Sequence, residues 1–546
     1  MAGSNEQWGS RVGLVLAMAG NAVGLGNFLR FPAQAVANGG GAFIIPYLIS
    51  FLIMGIPLLW IEWGLGRFGG QRGHHSTPGM LDAVGRSRFW KYVGTFGIFT
   101  NLTVIAYYTY IESWTLGYVW HTIAGTFDTM SSSDVSQYFD QYLGINSGNG
   151  YNLSRQAILF FVITLGINLW ILSRGLMRGV EIASKIGMPI LLGFSLFLAV
   201  RILTISEGEL GAMNDAIAGL NFLWEPQFDS LSNPKVWMAA AGQVFFTLSV
   251  GMGSIQCYAS YLKENEDIAL SASSAGWMNE FVEVILGGSI IVPVAVAYLG
   301  LDWVVSNVGF EVGFRTMPTL FQHWGPWFAV AGGIAWFGLL FFAGITSSLA
   351  MGQPVVAFLQ DEFKISRERS TMVLGIAVVL LALPCILLYQ LGAFDEFDFW
   401  GGTFSLVLFA LLESIAFMWV FGRRRAWDEI TRGSEIRIPR IFFFIAAYIT
   451  PVFLIAIFLG ALVKPDGSEW APAITALFEG NGWPFSYDSV LGRLLNMGFQ
   501  GSEQGSLVHR EALVRSGARV LLMLTFVGIA LAIFIAWRRR RTRKVE

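Results

Sequence analysis

Gly20, Asn21, Gly24, Gly26, Asn27 and Arg30 lie together in residues 17–30, inside the first long apolar stretch of the chain. Glycine costs up to about 1 kcal/mol per residue against alanine in a helix interior, so three of them in one spanning run predict a helix that breaks. Backbone freed from helical hydrogen bonds inside a bilayer persists only where protein or a polar cavity satisfies it. The break therefore reads as the floor of a binding site. A close-packing glycine face between helices explains the glycines but leaves Asn21, Asn27 and Arg30 without a reason. A charge in a membrane helix costs about 2.5 to 3.5 kcal/mol on insertion scales, so Arg30 is expected to be paired. A second interruption of the same kind runs from Gly242 to Ser254, through Gln243, Thr247, Ser249, Gly251 and Gly253. Glu62, also within a spanning run, is expected to satisfy backbone around a broken helix rather than carry substrate.

The elements that must hold these residues are set by composition. The 546 residues are 54% hydrophobic and 13% charged, and the mean hydropathy of +0.57 is that of a polytopic membrane protein. Cys257 and Cys385 both sit in apolar runs, which excludes a disulfide framework and paired metal-ligand spacing. The start of the chain lacks the basic flank, short apolar core and cleavage site of a signal peptide, so the first apolar segment is expected to be retained. There is no His-Glu-x-x-His and no Gly-Lys pair, and His74, His75, His121, His323 and His509 fall in loops or near segment ends, so nothing points to catalysis.

Twelve segments long enough to span a bilayer are predicted near residues 11–37, 41–69, 90–124, 157–173, 179–203, 235–262, 268–299, 326–360, 368–388, 398–421, 440–463 and 518–537. An even number puts both termini on one side. The basic tail Arg538 to Lys544 and the loop Arg423-Arg424-Arg425 place that side in the cytoplasm. Alternate loops agree. Arg67, Arg72, Arg86, Arg88 and Lys91, then Arg174, Arg178 and Lys185, then Lys364, Arg367 and Arg369 fall inside, whereas Asp128, Asp134 and Asp140, then Glu207, Glu209, Asp215, Glu225 and Asp229 fall outside. This asymmetry reports topology and not a nucleic-acid footprint. Interrupted segments at positions one and six suggest a five-helix unit used twice, 11–203 and 235–421, with 440–537 appended, all within a single transmembrane domain spanning 1–546. The long connection 464–517 is expected on the extracellular face, as a cap or a mobile insertion.

The motifs themselves are specific: Trp8-Gly9-Ser10-Arg11, Gly20 to Pro32, Asn38 to Phe43, Pro57 to Glu62, Gln243 to Gly253, Asn279-Glu280 and Phe341 to Ser348. Through them the chain resembles the neurotransmitter:sodium symporter family, most closely its bacterial leucine-transporting branch, almost from end to end. The connection from about Val463 to Ala518 is the main departure. The resemblance implies an all-α fold of twelve transmembrane helices with an inverted five-helix repeat, broken at helices one and six. It also implies sodium-coupled, chloride-independent symport of a neutral, hydrophobic amino acid by alternating access.

Residue by residue, the resemblance implies one sodium ion among the Ala22 carbonyl, Asn27, Thr247, Asn279 and the substrate carboxylate. A second would lie among Gly20, Val23, Ala343, Thr346 and Ser347. The carboxylate would meet the N–H groups of Leu25 and Gly26 and the Tyr108 hydroxyl, and the amino group would meet carbonyls near Ala22, Phe246 and Thr247 with the Ser249 region contributing; Asn21 and Gly24 also belong to the implied substrate-binding set. Val104, Tyr108, Phe246, Ser249, Met252, Ser347 and Met351 would line the side-chain pocket, with Met252 and Met351 replacing rigid walls by adaptable ones. Gly24 stands where amine-carrying members have an aspartate, which favours amino acids. Arg30 and Asp398, with Gln243 beside Arg30, match an outer gate over a lid of Tyr108 and Phe246. Trp8 and Asp361 match the inner gate, but its arginine is Asn5 here, which implies a weaker inner latch. Glu283 takes the place of a chloride ion. Gly179 and Pro189 bracket a place where segment five could unwind or kink. The expected setting is the plasma (inner) membrane, multi-pass and lipid-embedded, as monomer or homodimer. The alternatives are a carrier of another small zwitterion, or a sensor or substrate-gated channel on the same fold.

Overall fold

The structure, a computed structural model, describes residues 6–145, 154–226, 228–468, 470–499 and 505–543. All twelve predicted segments are helical. They are α1a and α1b (Arg11–Ala22 and Gly26–Ala37), α2 (Gly41–Gly70), α3 (Thr95–Ile123), α4 (Arg155–Ser173) and α5 (Leu176–Leu203). Next come α6a and α6b (Pro234–Leu248 and Ser254–Ala259), α7 (Ile268–Leu299), α8 (Pro326–Phe363), α9 (Arg367–Leu387), α10 (Ala393–Thr431), α11 (Arg440–Val463) and α12 (Leu507–Arg543). Among the described residues the only β pairing is an isolated bridge, Pro465 with Phe485.

By length and composition alone, 9 of these helices could cross a membrane among the described residues, or 10 with the bent pair α1a–α1b. The count falls short of twelve for physical reasons. α6 is split into pieces too short to span. α3 carries Thr100, Asn101, Thr103, Thr109 and Glu112, all fully buried, because it runs through the middle of the protein, packed along α8 and against α4 and α9. A helix surrounded by protein need not be apolar.

Local chemistry sets the ends and the breaks. Ser10 caps α1a by accepting from Gly13 N–H (3.0 Å), and Asp267 caps α7 by accepting from Leu270 N–H (2.9 Å). α1 bends by 46° at its break, where Val23 is extended (φ −73°, ψ 98°). In α6 the backbone turns left-handed at Ser249, Gly251 and Gly253, with φ of +53°, +76° and +94°. Around them α1a packs against α5, α7 and α8, so the first break faces the centre. In α5, Gly179 lies in a π-helical turn, and Pro189 sits inside an unbroken helix that runs on to Leu203.

The connection after α11 is partly helical among the described residues. It holds the short helices Trp470–Phe478 and Val490–Leu494, and α12 begins at Leu507, earlier than the predicted 518.

Candidate substrate and ion site

The two breaks meet at a small central cavity lined by Ala22, Gly24, Gly26, Asn27, Val104, Tyr108, Phe246, Thr247, Ser249, Met252, Ser347 and Met351, with Gly402 and Leu406. Every side chain expected in the substrate pocket is on this wall. Gly402 and Leu406, from α10, are additions that the motifs do not name. The signal for them is the pair Gly401-Gly402, where a Cβ would stand 2.6 Å from Thr103 and 2.5 Å from the Tyr107 hydroxyl. Asn21 and Leu25 are absent from the wall. The Asn21 side chain is buried with neither polar atom partnered among the described residues, and its carbonyl accepts from the Ser249 hydroxyl (2.9 Å).

Glycine at position 24 has a steric reason: a Cβ there would lie 2.8 Å from Tyr108 Oη and 3.0 Å from Ser347 Oγ. The Tyr108 hydroxyl accepts the Leu25 N–H (3.0 Å), while the Gly26 N–H, at the start of α1b, finds no acceptor among the described residues. An N–H exposed at a helix start favours an anion.

The first set of ion-ligand candidates converges. The Asn27 amide donates to Asn279 Oδ1 (2.8 Å) and Thr247 Oγ1 (3.2 Å), and the Asn279 amide donates to Thr247 Oγ1 (3.0 Å). Asn27 Oδ1 accepts the Gly24 N–H (2.8 Å), folding the break over the cluster. The Ala22 carbonyl, last in α1a, accepts no backbone N–H among the described residues. These are neutral oxygens, the donor set a dehydrated alkali cation needs. In the second set, Ser347 donates to the Gly20 carbonyl (3.2 Å), and Thr346 donates to the carbonyls of Phe342 (2.9 Å) and Ala343 (3.2 Å). A Cβ at Gly20 would stand 2.9 Å from Thr346 Cβ, so α1a and α8 meet through the glycine.

Buried acids flank the first set. Glu283 accepts from Gln243 (2.5 Å), from the Thr247 hydroxyl and from Tyr47 (3.0 Å), and Tyr47 also reaches Glu280 (3.0 Å). No motif assigns a role to the Tyr47 or Glu280 side chain. Gln243 is expected beside Arg30; its Nε2 donates to the buried Glu283 carboxylate, and its Oε1 has no hydrogen-bond partner among the described residues. Glu62 does serve a broken helix: its Oε1 accepts the Gly251 N–H (2.6 Å) at the α6 break.

The gate residues, expected to close through a direct or water-bridged contact of Arg30 with Asp398, make the following contacts. Among the described residues no ion pair joins Arg30 to Asp398. The Arg30 guanidinium lies 4.2 Å over the Phe246 ring, and Asp398 accepts from the Tyr107 hydroxyl (2.7 Å). A cation stacked on an aromatic face has a partner that sequence spacing does not show. On the inner side Trp8 donates to the Tyr258 carbonyl (3.0 Å), and Asp361 accepts the His75 backbone N–H (2.7 Å). Asn5 lies outside the described residues. Its neighbour Glu6 is engaged by Arg367 through both carboxylate oxygens (3.0 and 2.8 Å).

Known proteins match the chain over most of its length. The model of the Sodium:neurotransmitter symporter family matches residues 5–128 and 124–472. An uncharacterized sodium-dependent transporter of Methanocaldococcus jannaschii is 30% identical over 462 residues, 83% of this chain and 89% of its own length. A sodium-dependent nutrient amino acid transporter of Drosophila grimshawi is 24% identical, over 84% of this chain and 76% of its own. The crystal structure of MhsT in complex with L-phenylalanine aligns with TM-score 0.72 and 28% identity, covering 83% of this chain and 99% of MhsT.

Proposed function

This chain belongs to the sodium:neurotransmitter symporter family and is a sodium-dependent membrane transporter, and we propose that it takes up neutral, hydrophobic amino acids by alternating access. The observation that carries the reading is the cavity wall, which contains no charged side chain among the described residues. A ligand bearing both an ammonium and a carboxylate is then matched by backbone: the Gly26 and Leu25 N–H groups for the carboxylate, and end-of-helix carbonyls near Ala22 for the ammonium. An amine alone would need a carboxylate that Gly24 does not supply. Met252 and Met351 give the side-chain end of the cavity unbranched, adaptable walls, suited to leucine, methionine and aromatic side chains. The phenylalanine bound by MhsT and the nutrient amino acids of the insect relative's name support this class.

Two sodium ions are proposed as co-substrates. One would be held by Ala22, Asn27, Thr247 and Asn279 beside the substrate carboxylate, so that each favours the other electrostatically. The second, held by Gly20, Val23, Ala343, Thr346 and Ser347, would tie α1a to α8, and its release would let them part. Glu283, hydrogen-bonded to Thr247 and close to Asn279, supplies a fixed negative charge where a chloride would otherwise be needed. The basic loops and tail orient both termini to the cytoplasm of a plasma membrane.

Proteoliposomes with an imposed sodium gradient test this. The expected result is concentrative uptake of leucine, methionine and phenylalanine in mutual competition, unchanged when chloride is replaced by gluconate, with reversal potentials giving two sodium ions per substrate. Displacement by a charged amino acid but not by these three would overturn the substrate class, and chloride stimulation would overturn the role of Glu283.

A further inference from the structure

The family match ends at residue 472, and MhsT, covered over 99% of its length, accounts for 83% of this chain. The segment beyond residue 472 therefore lies outside the family match, yet it is bound to the most functional stretch of α10. Glu396, fully buried, lies two residues before Asp398 and in the same helix as the cavity residues Gly402 and Leu406. Its carboxylate accepts from Tyr487 Oη (2.5 Å), Arg493 Nη1 (2.9 Å) and, within α10, Trp400 Nε1 (2.8 Å). Arg519 Nε and Arg515 Nη1 stand 3.4 and 3.8 Å from it. Arg515 also pairs with Asp395 (3.0 Å) and Glu511 (2.8 Å), and Arg493 lies 4.0 Å over the Phe399 ring.

The same added segment has a second contact surface. An outer cavity above the site is lined by Arg30, Gln34, Phe399, Thr403 and Phe404 from the family part of the chain, and by Asp488 and Val490 from the added part. Arg493, which grips Glu396, lies in the short helix that starts at Val490. One short element thus touches both the wall of the outer route and the buried acid of α10.

We propose that Glu396 is a positioning residue for the outer gate, through which Tyr487, Arg493, Arg515 and Arg519 clamp the outer half of α10 in the position it has here, with the cavity residues Tyr108, Met252 and Met351 buried. A buried carboxylate with several cationic and hydroxyl donors is a stiff joint, because withdrawing any one partner leaves charge uncompensated away from water. Outward tilting of α10 must carry the Val490–Leu494 helix with it or break this joint. The clamp therefore biases the transporter against its outward-open state. The inference rests on reading the outer cavity as the substrate's route.

The test uses the full-length protein in nanodiscs, with a reporter cysteine at Ala239 on the outer-cavity wall and, separately, one at Ala183 toward the inner side. Glu396→Gln and the milder Tyr487→Phe are each expected to raise the labelling rate at position 239 by a membrane-impermeant thiol reagent about tenfold in sodium-free buffer. Labelling at 183 is expected to stay the same or fall. Arg493→Lys, which keeps a charge, is expected to give a smaller rise. If Glu396→Gln does not fold, Tyr487→Phe alone decides. Labelling at 239 within twofold of the parent in the variants that fold, or an equal rise at both reporters, would overturn the clamp. Absence of sodium-driven uptake by the parent would sink the transport reading, while this comparison of labelling rates would still stand.

Discussion

A single methyl group at Gly24 is the smallest change that probes the substrate cavity. Its Cβ would press on the Tyr108 and Ser347 hydroxyls, at 2.8 and 3.0 Å, and Tyr108 Oη is also the acceptor for Leu25 N–H. Gly24→Ala is expected to weaken amino acid binding about tenfold, about 1.4 kcal/mol, with little change in melting temperature. Equilibrium binding and thermal unfolding on the same preparation would show it, and unaltered affinity would remove Gly24 from the site. At the inner face His75 makes a different kind of prediction. Its ring is stacked on Tyr261 (4.3 Å between centroids) with Nδ1 2.9 Å from Ser260 Oγ, and burial pushes the imidazole down from 6.5 to about 4. The folded state then binds fewer protons than the unfolded chain between those values. The stabilisation is present above about pH 6.5, falls as the pH drops toward 4 and levels off below it. His75→Gln is expected to flatten that part of the melting-temperature profile.

At the scale of elements, the α6 break is held from two sides. Glu62 of α2 takes the Gly251 N–H, and the Leu406 carbonyl of α10 occupies the space that a Gly251 Cβ would need, at a φ of +76°. Gly251→Ala therefore combines a left-handed backbone with a clash against backbone that cannot swing away. It is expected to lower the yield of monodisperse protein severalfold and abolish uptake. Gly242→Ala, where a Cβ meets nothing within 4 Å, is expected to behave like the parent. Size-exclusion profiles of the two variants make the comparison, and an intact Gly251→Ala transporter would show the break to be dispensable. The contrast also explains why glycine content alone marks a break poorly: both residues belong to the same glycine-interrupted run, but only one has its Cβ position occupied.

For the whole molecule the balance between inward- and outward-facing states depends on what closes each side. Resemblance to the family leads one to expect a weaker inner latch at Asn5, and the structure shows a nearby pair, Glu6 with Arg367, whose arginine also donates to the Leu172 carbonyl (2.6 Å) and to Gln353 (2.6 Å). The pair is partly exposed, at 31% and 12%, so its worth is about 1 kcal/mol. Glu6→Gln is expected to raise the inward-open fraction about fivefold, read from spin-label distances across the inner face. An unchanged distribution would mean that the latch lies elsewhere.

Read alone, the sequence determined the membrane class, the twelve helical segments and both breaks, and its resemblance to the family pointed to Val104, Tyr108, Phe246, Ser249, Met252, Ser347 and Met351. The first three come from hydropathy and from glycine runs that act through local backbone, and such signals survive in one dimension. The tertiary structure decided what depends on which helices touch: Gly402 and Leu406 completing the cavity, Arg30 over Phe246, Gln243 on Glu283, and Glu6 on Arg367. It also decided that residues far down the chain, Tyr487 and Arg493, close on Glu396. The physical reason is that burial and pairing of a charge are set by three-dimensional neighbours, and nothing in the spacing of residues along the chain records which neighbour wins.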